Sequence, residues 1–166
     1  MNREEIIIPE TAVVRQRDFQ KKIRDMFAAR KAHPTACVET FGCQQNVADG
    51  QRLMGMLEAM GFTLSEDAGE ADLVLLNTCA IREHAEQRVF GNLGILTHSK
   101  NENPEQMIVL CGCMAQEERV SKRIRESYRH VDLGLGPQAL WRFPVLLWQA
   151  YETKERVFSV AAEPGG

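Results

Sequence analysis

The chain of 166 residues, 44% apolar and 26% charged, is large enough for one domain with its own core and too apolar for a disordered tail. No stretch is apolar for long enough to cross a bilayer, and the opening MNREEIII lacks the basic-then-apolar plan of a secretory signal, so a cytoplasmic protein with no membrane role is expected. Five cysteines, an odd number, and four histidines (His33, His84, His98 and His130) without zinc-finger spacing read as reduced thiols or metal ligands rather than a disulfide frame.

The net charge of -3 is unevenly spread. Arg15 to Lys31 holds seven Lys or Arg and two Asp, a local +5, which leaves -8 for the rest (-3 minus 5). Phe19, Ile23, Met26, Phe27 and Arg30 follow helical spacing, so this segment reads as an amphipathic helix with its charges in solvent, within an N-terminal extension over residues 1–34. Contact with RNA is the alternative reading of the basic run.

TACVETF at 35–41 is the first strand of the domain proper, and Gly42, Cys43, Gln44, Gln45 and Asn46 follow it. Asn46 suits an N-cap; Leu53, Met54, Leu57 and Met60 form the buried stripe of a helix that Gly61 ends. Phe62 to Leu64 is a short second strand. The stretch ADLVLLNTCAIRE at 71–83 organises the remainder: Leu73 to Leu76 is too continuous for a half-exposed strand and reads as one buried on both faces of a parallel sheet. Asn77 and Thr78 read as turn and cap residues, Cys79 follows at once, and Ile81, Ala85, Val89 and Leu93 recur at helical spacing to about Thr97. Gly91 and Gly94 each cost about 1 kcal/mol in a helix interior relative to alanine, which predicts a bend or a close neighbour there.

KNENP at 100–104 is a polar turn, and Met107 to Leu110 is a buried strand ending in Cys111, Gly112 and Cys113. The next helix carries Glu117 and Glu118 near its start and Lys122, Arg123, Arg125 and Arg129 later. Val131 to Leu135 is the last strand, Leu140 to Tyr151 is a helical region with Pro144 at a helix start or kink, and Glu163 to Gly166 is linker-like.

This alternation predicts an α/β fold: an open, mainly parallel five-stranded sheet with helices on both faces, in the flavodoxin-like order 2-1-3-4-5. Strands one, three and four are then neighbours, and they are the strands that run into Cys43, Cys79 and Cys113. Adjacent strands lie about 4.8 Å apart, so the three loops fall within roughly 10 Å, close enough for one metal centre to take a thiolate from each. A centre with three protein thiolates keeps one metal site open to an outside ligand. Cys37, inside the first strand, and Cys111, at the end of the fourth, read as buried packing thiols. A Cys111–Cys113 redox pair is the alternative, and it leaves Cys43 and Cys79 unexplained. Thiolate ligation from separate loops suits iron–sulfur better than zinc. No GxxxxGK(S/T) loop occurs and no βα turn carries GxGxxG, so nucleotide binding is not expected.

FGCQQN at 41–46, NTCAIRE at 77–83 and GCMAQ at 112–116, with cysteine spacings of 36 (79 minus 43) and 34 (113 minus 79), resemble the N-terminal domain of the radical S-adenosylmethionine methylthiotransferases. The resemblance covers roughly residues 35–160 and is closest to the branch that converts N6-isopentenyladenosine beside the tRNA anticodon into its 2-methylthio derivative. Gln45 stands where that branch usually has methionine, a change that leaves ligation intact. The resemblance implies that Cys43, Cys79 and Cys113 hold an auxiliary 4Fe-4S cluster whose uncoordinated iron carries the sulfur or methylthio group. It also implies a second 4Fe-4S cluster with S-adenosylmethionine in a radical domain, and an RNA-binding domain. The radical cluster needs a CxxxCxxC motif, which this chain lacks, so an excised domain with residues 161–166 starting the linker is expected. On this reading the chain is inactive alone, and its partners are tRNA and the rest of its own polypeptide. The competing expectation is a standalone flavodoxin-like binding module with idle or redox thiols.

Overall fold

The computed structural model of the chain describes residues 10–30, 32–41, 44–78 and 83–159. Uninterrupted apolar runs form the middle of the sheet, as burial on both faces requires. β3 (Leu73–Thr78) and β4 (Met107–Gly112) are buried at every residue, with β1 (Thr35–Phe41) and β5 (Leu133–Leu135) beside them. The short strands β2 (Thr63–Leu64) and β6 (Val157–Ser159) close the two edges. All pairings are parallel, in the order β2-β1-β3-β4-β5-β6.

Helices cover both faces. On one, α1 (Glu10–Ala29), α2 (Gln44–Ala59) and α6 (Phe143–Thr153) set Ile23, Leu53, Leu57 and Leu147 against Leu73, Leu75 and Val109. On the other, α3 (Glu83–Glu102), α4 (Cys113–Gln116) and α5 (Glu118–Ser127) set Val89, Leu93, Met114 and Ile124 against Val74, Leu76, Ile108 and Leu110. A 3₁₀ segment, Pro137–Arg142, joins β5 to α6, and Pro144 sits in the first turn of α6, where its missing N–H removes no helical bond. The N-terminal helix is docked firmly: Ile23 is fully buried, and Gln16 accepts the Val145 N–H at the start of α6 at 3.2 Å. No helix among the described residues is long and apolar enough to cross a membrane.

The structure departs from the sequence expectations in several places. The sheet has a sixth strand, β6. Helix α6 ends without the glycine that usually marks such a stop, because Lys154 itself takes the left-handed conformation (φ 56) and turns the chain toward β6. Asn77 and Thr78 are not turn and cap residues; they lie inside β3, paired with Thr40 and Phe41 on one side and Cys111 and Gly112 on the other. Asn46 is not an N-cap, since α2 already begins at Gln44. Helix α3 runs on into the expected polar turn, to Glu102, with the turn itself following at 103–105, and at Gly91 and Gly94 an added Cβ would meet nothing within 4 Å, so no close neighbour accounts for either glycine. The helix after Cys113 breaks at Glu117 into α4 and α5. Ile81 lies outside the described residues.

Candidate metal centre

The carboxyl ends of β1, β3 and β4 finish level with one another. Phe41 is the register partner of Thr78, and Thr78 is the partner of Gly112, so the ends of β1 and β4 stand about 10 Å apart across β3. Polar side chains tie the level ends together. The Thr78 hydroxyl donates to the Cys111 carbonyl at 2.7 Å, the Cys111 thiol points to Asn77 Oδ1 at 3.6 Å, and Asn77 and Thr78 are fully buried. Gly112 permits the closest approach: a Cβ there would lie 1.9 Å from the Thr78 carbonyl oxygen, and its φ of +101° is one that side chains disfavour.

Of the expected ligands, Cys113 opens α4 immediately beyond this rim and is half-buried. Cys43 and Cys79 lie outside the described residues; in the chain, Cys43 is two positions after Phe41 and Cys79 directly follows Thr78. The other two thiols are set apart, as expected of packing residues. Burial, and then the charges of Glu39, Asp67 and Glu66, push the Cys37 thiol up to about 11. Burial, and then Asp49, push the Cys111 thiol up as well. A thiol held protonated is a poor nucleophile. Among the described residues no three His, Cys, Asp or Glu side chains gather as a metal-binding group.

The rim fits a thiolate-held centre in two respects: its strand ends are level, and Cys113 is partly accessible beyond them while Cys37 and Cys111 are buried in the core. Four other residues lie around it, Asp49, Glu86, Glu117 and Arg119, and sequence reasoning gave none of them a role here. Asp49 is 3% exposed on the buried side of α2 and opposes ionisation of Cys111. Its spacing with Leu53, Leu57 and Met60 was the available signal. Arg119 bridges Glu86 of α3 (Nη2 to Oε2, 3.0 Å) and Glu117 at the joint of α4 and α5 (Nε to Oε1, 3.3 Å). The hydrogen bond to Glu86, and then its charge, hold the Arg119 guanidinium above its usual range. The bridge links the helix after Cys79 to the helix pair after Cys113. Its partners are 33 positions apart, so no local pattern announces it.

The profile of the family described as "Uncharacterized protein family UPF0004" matches residues 35–136. The chain belongs to this family. Among curated relatives, it is 43% identical to a tRNA-2-methylthio-N(6)-dimethylallyladenosine synthase of Staphylococcus haemolyticus over 149 residues, covering 90% of this chain and 29% of the relative. Proteins of the same name from Acetivibrio thermocellus (39% identity, 96% of this chain, 34% of the relative) and Halalkalibacterium halodurans (44%, 77% and 24%) match the same way. The chain therefore spans about a third or less of the curated relatives it matches. The family match begins at Thr35, the first residue of β1, and takes in β1 to β5 with all three rim positions.

Proposed function

We infer that this chain is the N-terminal, cluster-holding part of a tRNA methylthiotransferase. The proposed division is an extension over residues 1–34, the domain proper over 35–160, and the start of a linker over 161–166. The observation that carries the reading is the level rim: Phe41, Thr78 and Gly112 share one register line, and each proposed ligand follows its strand end by one or two residues. Consecutive Cα atoms are about 3.8 Å apart, which keeps Cys43, Cys79 and Cys113 within short reach of that line.

When bound by these three thiolates, a 4Fe-4S cluster supplies one iron with an open position for an outside sulfur ligand. The chain's own residues do the positioning. Gly112 lets β4 cross close to β3, Asn77 and Thr78 lock the two ends, and Arg119 joins the helices that follow. Cys37 and Cys111 are buried in the sheet, 2% and 0% exposed, and are proposed as packing residues.

The names of the relatives support tRNA as the substrate of the full-length enzyme and a 2-methylthio group on N6-dimethylallyladenosine (N6-isopentenyladenosine) as its product. A target base next to the anticodon and a cytoplasmic location belong to the proposal and follow from the resemblance to the methylthiotransferases. The resemblance implies that this chemistry also uses a radical domain with a second 4Fe-4S cluster and S-adenosylmethionine, and an RNA-binding domain. These 166 residues hold no CxxxCxxC motif, and on this reading they are inactive by themselves.

Anaerobic reconstitution with iron and sulfide tests the reading. It predicts a brown protein with about four irons per chain, lost on Cys43→Ala, Cys79→Ala or Cys113→Ala and kept on Cys37→Ala or Cys111→Ala. A colourless chain would instead favour a flavodoxin-like module with idle thiols.

A further inference from the structure

We propose that the outer face of α3 and α5 is a docking surface for an RNA phosphate backbone, running from the cysteine rim toward the β6 edge. The proposal rests on the tRNA reading above and locates a substrate contact on this domain. The face carries exposed Arg88, Lys122, Arg123, Arg125 and Arg129. None of the five has a carboxylate within ion-pair distance among the described residues, whereas Arg119 beside them is taken up by Glu86 and Glu117. Residues 118–130 hold five Lys or Arg against Glu118 and Glu126, a local +3 (5 minus 2) on a chain of net -3. The helix dipole does not account for this. It acts over the last turn, and Arg125 is the basic residue in the last turn of α5.

Three of the guanidinium groups are laid on aromatic rings. Arg88 lies 5.4 Å from the Phe41 ring, Arg123 lies 4.0 Å from the Phe90 ring, and Arg125 lies 5.4 Å from the Phe158 ring. A ring beneath the cation restricts the side chain and leaves N–H groups for a phosphate oxygen, at less entropic cost than a free lysine would pay; Arg125 Nη2 also donates to Ser121 Oγ at 3.0 Å. The platform under Arg125 is itself held. Arg156 shares the Phe158 ring and donates to the carbonyls of Ile124, Arg125, Tyr128 and Val131, locking β6 to the end of α5.

Phe41 is the last residue of β1 at the rim, and Phe158 lies on the opposite edge strand. Four strand spacings separate β1 from β6, about 19 Å, the reach of a few nucleotides. A row of separated, oriented arginines suits repeated phosphates, and it starts beside the rim where the modified base would be handled. The basic residues of α1 lie on the other face of the sheet, interleaved with Asp18 and Asp25.

Fluorescence anisotropy with a short RNA hairpin, titrated against the 166-residue chain without iron at several salt concentrations, tests this surface. The triple variant Arg88→Ala, Arg123→Ala, Arg129→Ala is expected to bind about tenfold or more weakly, and to lower the slope of log affinity against log salt by about two to three. The α1 variant Lys21→Ala, Lys22→Ala, Arg24→Ala is expected to match the unsubstituted chain in both. Should the triple variant melt early, Arg129→Glu alone, outside any stack, is expected to weaken binding and lower the slope. Unchanged affinity and slope in these variants, equal loss in the α1 variant, or binding to an acidic protein with none to RNA would overturn the proposal. Iron loading is measured separately: normal loading with no RNA effect removes this surface alone, and failed loading with RNA binding intact removes the cluster reading alone.

Discussion

Gly112 decides how closely β4 passes β3 at the rim, because any side chain would strike the Thr78 carbonyl and would have to accept a φ of +101°. Gly112→Ala is expected to destabilise the domain by about 3 kcal/mol or more, read as a shift in the urea midpoint; a change below about 0.5 kcal/mol would contradict the close approach. The two core thiols make an opposite kind of contribution. The neutral form of Cys37 is favoured in the folded state, its titration being raised from 9.0 to about 11, so its contribution is intact below pH 9 and is lost as pH rises toward 11. The melting temperature should fall across that interval, and fall less steeply in Cys37→Ala. At neutral pH, alkylation followed by peptide mapping should mark the half-buried Cys113 and leave Cys37 and Cys111 untouched.

At the scale of elements, α1 belongs to the core as much as to the surface. Its amphipathic spacing was plain in Phe19, Ile23 and Phe27, but the contact that orients it was not. Gln16 meets Val145 across 129 positions, and nothing local in either segment signals that the N-terminus of α6 lacks a cap of its own. Gln16→Ala should cost about 1 kcal/mol by denaturation, comparable to losing a helix cap; no change would mean that α1 is held by apolar contact alone. Arg119 is mostly exposed, and surface pairs contribute little to global stability, so Arg119→Ala should leave the urea midpoint nearly unchanged. It should still speed the loss of reconstituted iron to a chelator, because the helices after Cys79 and Cys113 would no longer be joined. The inner strands were legible because burial on both faces writes a continuous apolar run, as in Leu73 to Leu76. Strand β6 was not, since three half-buried residues after a helix stopped by Lys154 instead of glycine carry neither a run nor a punctuation mark.

At the scale of the molecule, the order β2-β1-β3-β4-β5-β6 makes neighbours of three strands that are separated in sequence by whole helices. The predicted winding and the positions of the cysteines were independent readings, and the observed register brings the three strand ends to one line. Two of the three proposed ligand positions, Cys43 and Cys79, come from the sequence alone and lie outside the described residues, so the donor set itself is tested by spectroscopy. The most direct measurement is Mössbauer spectroscopy of the chain reconstituted with isotopically enriched iron. Three thiolates on a 4Fe-4S cluster predict irons divided roughly three to one, with a small added thiol shifting the minority signal alone. Four equivalent irons, indifferent to added thiol, would contradict the account.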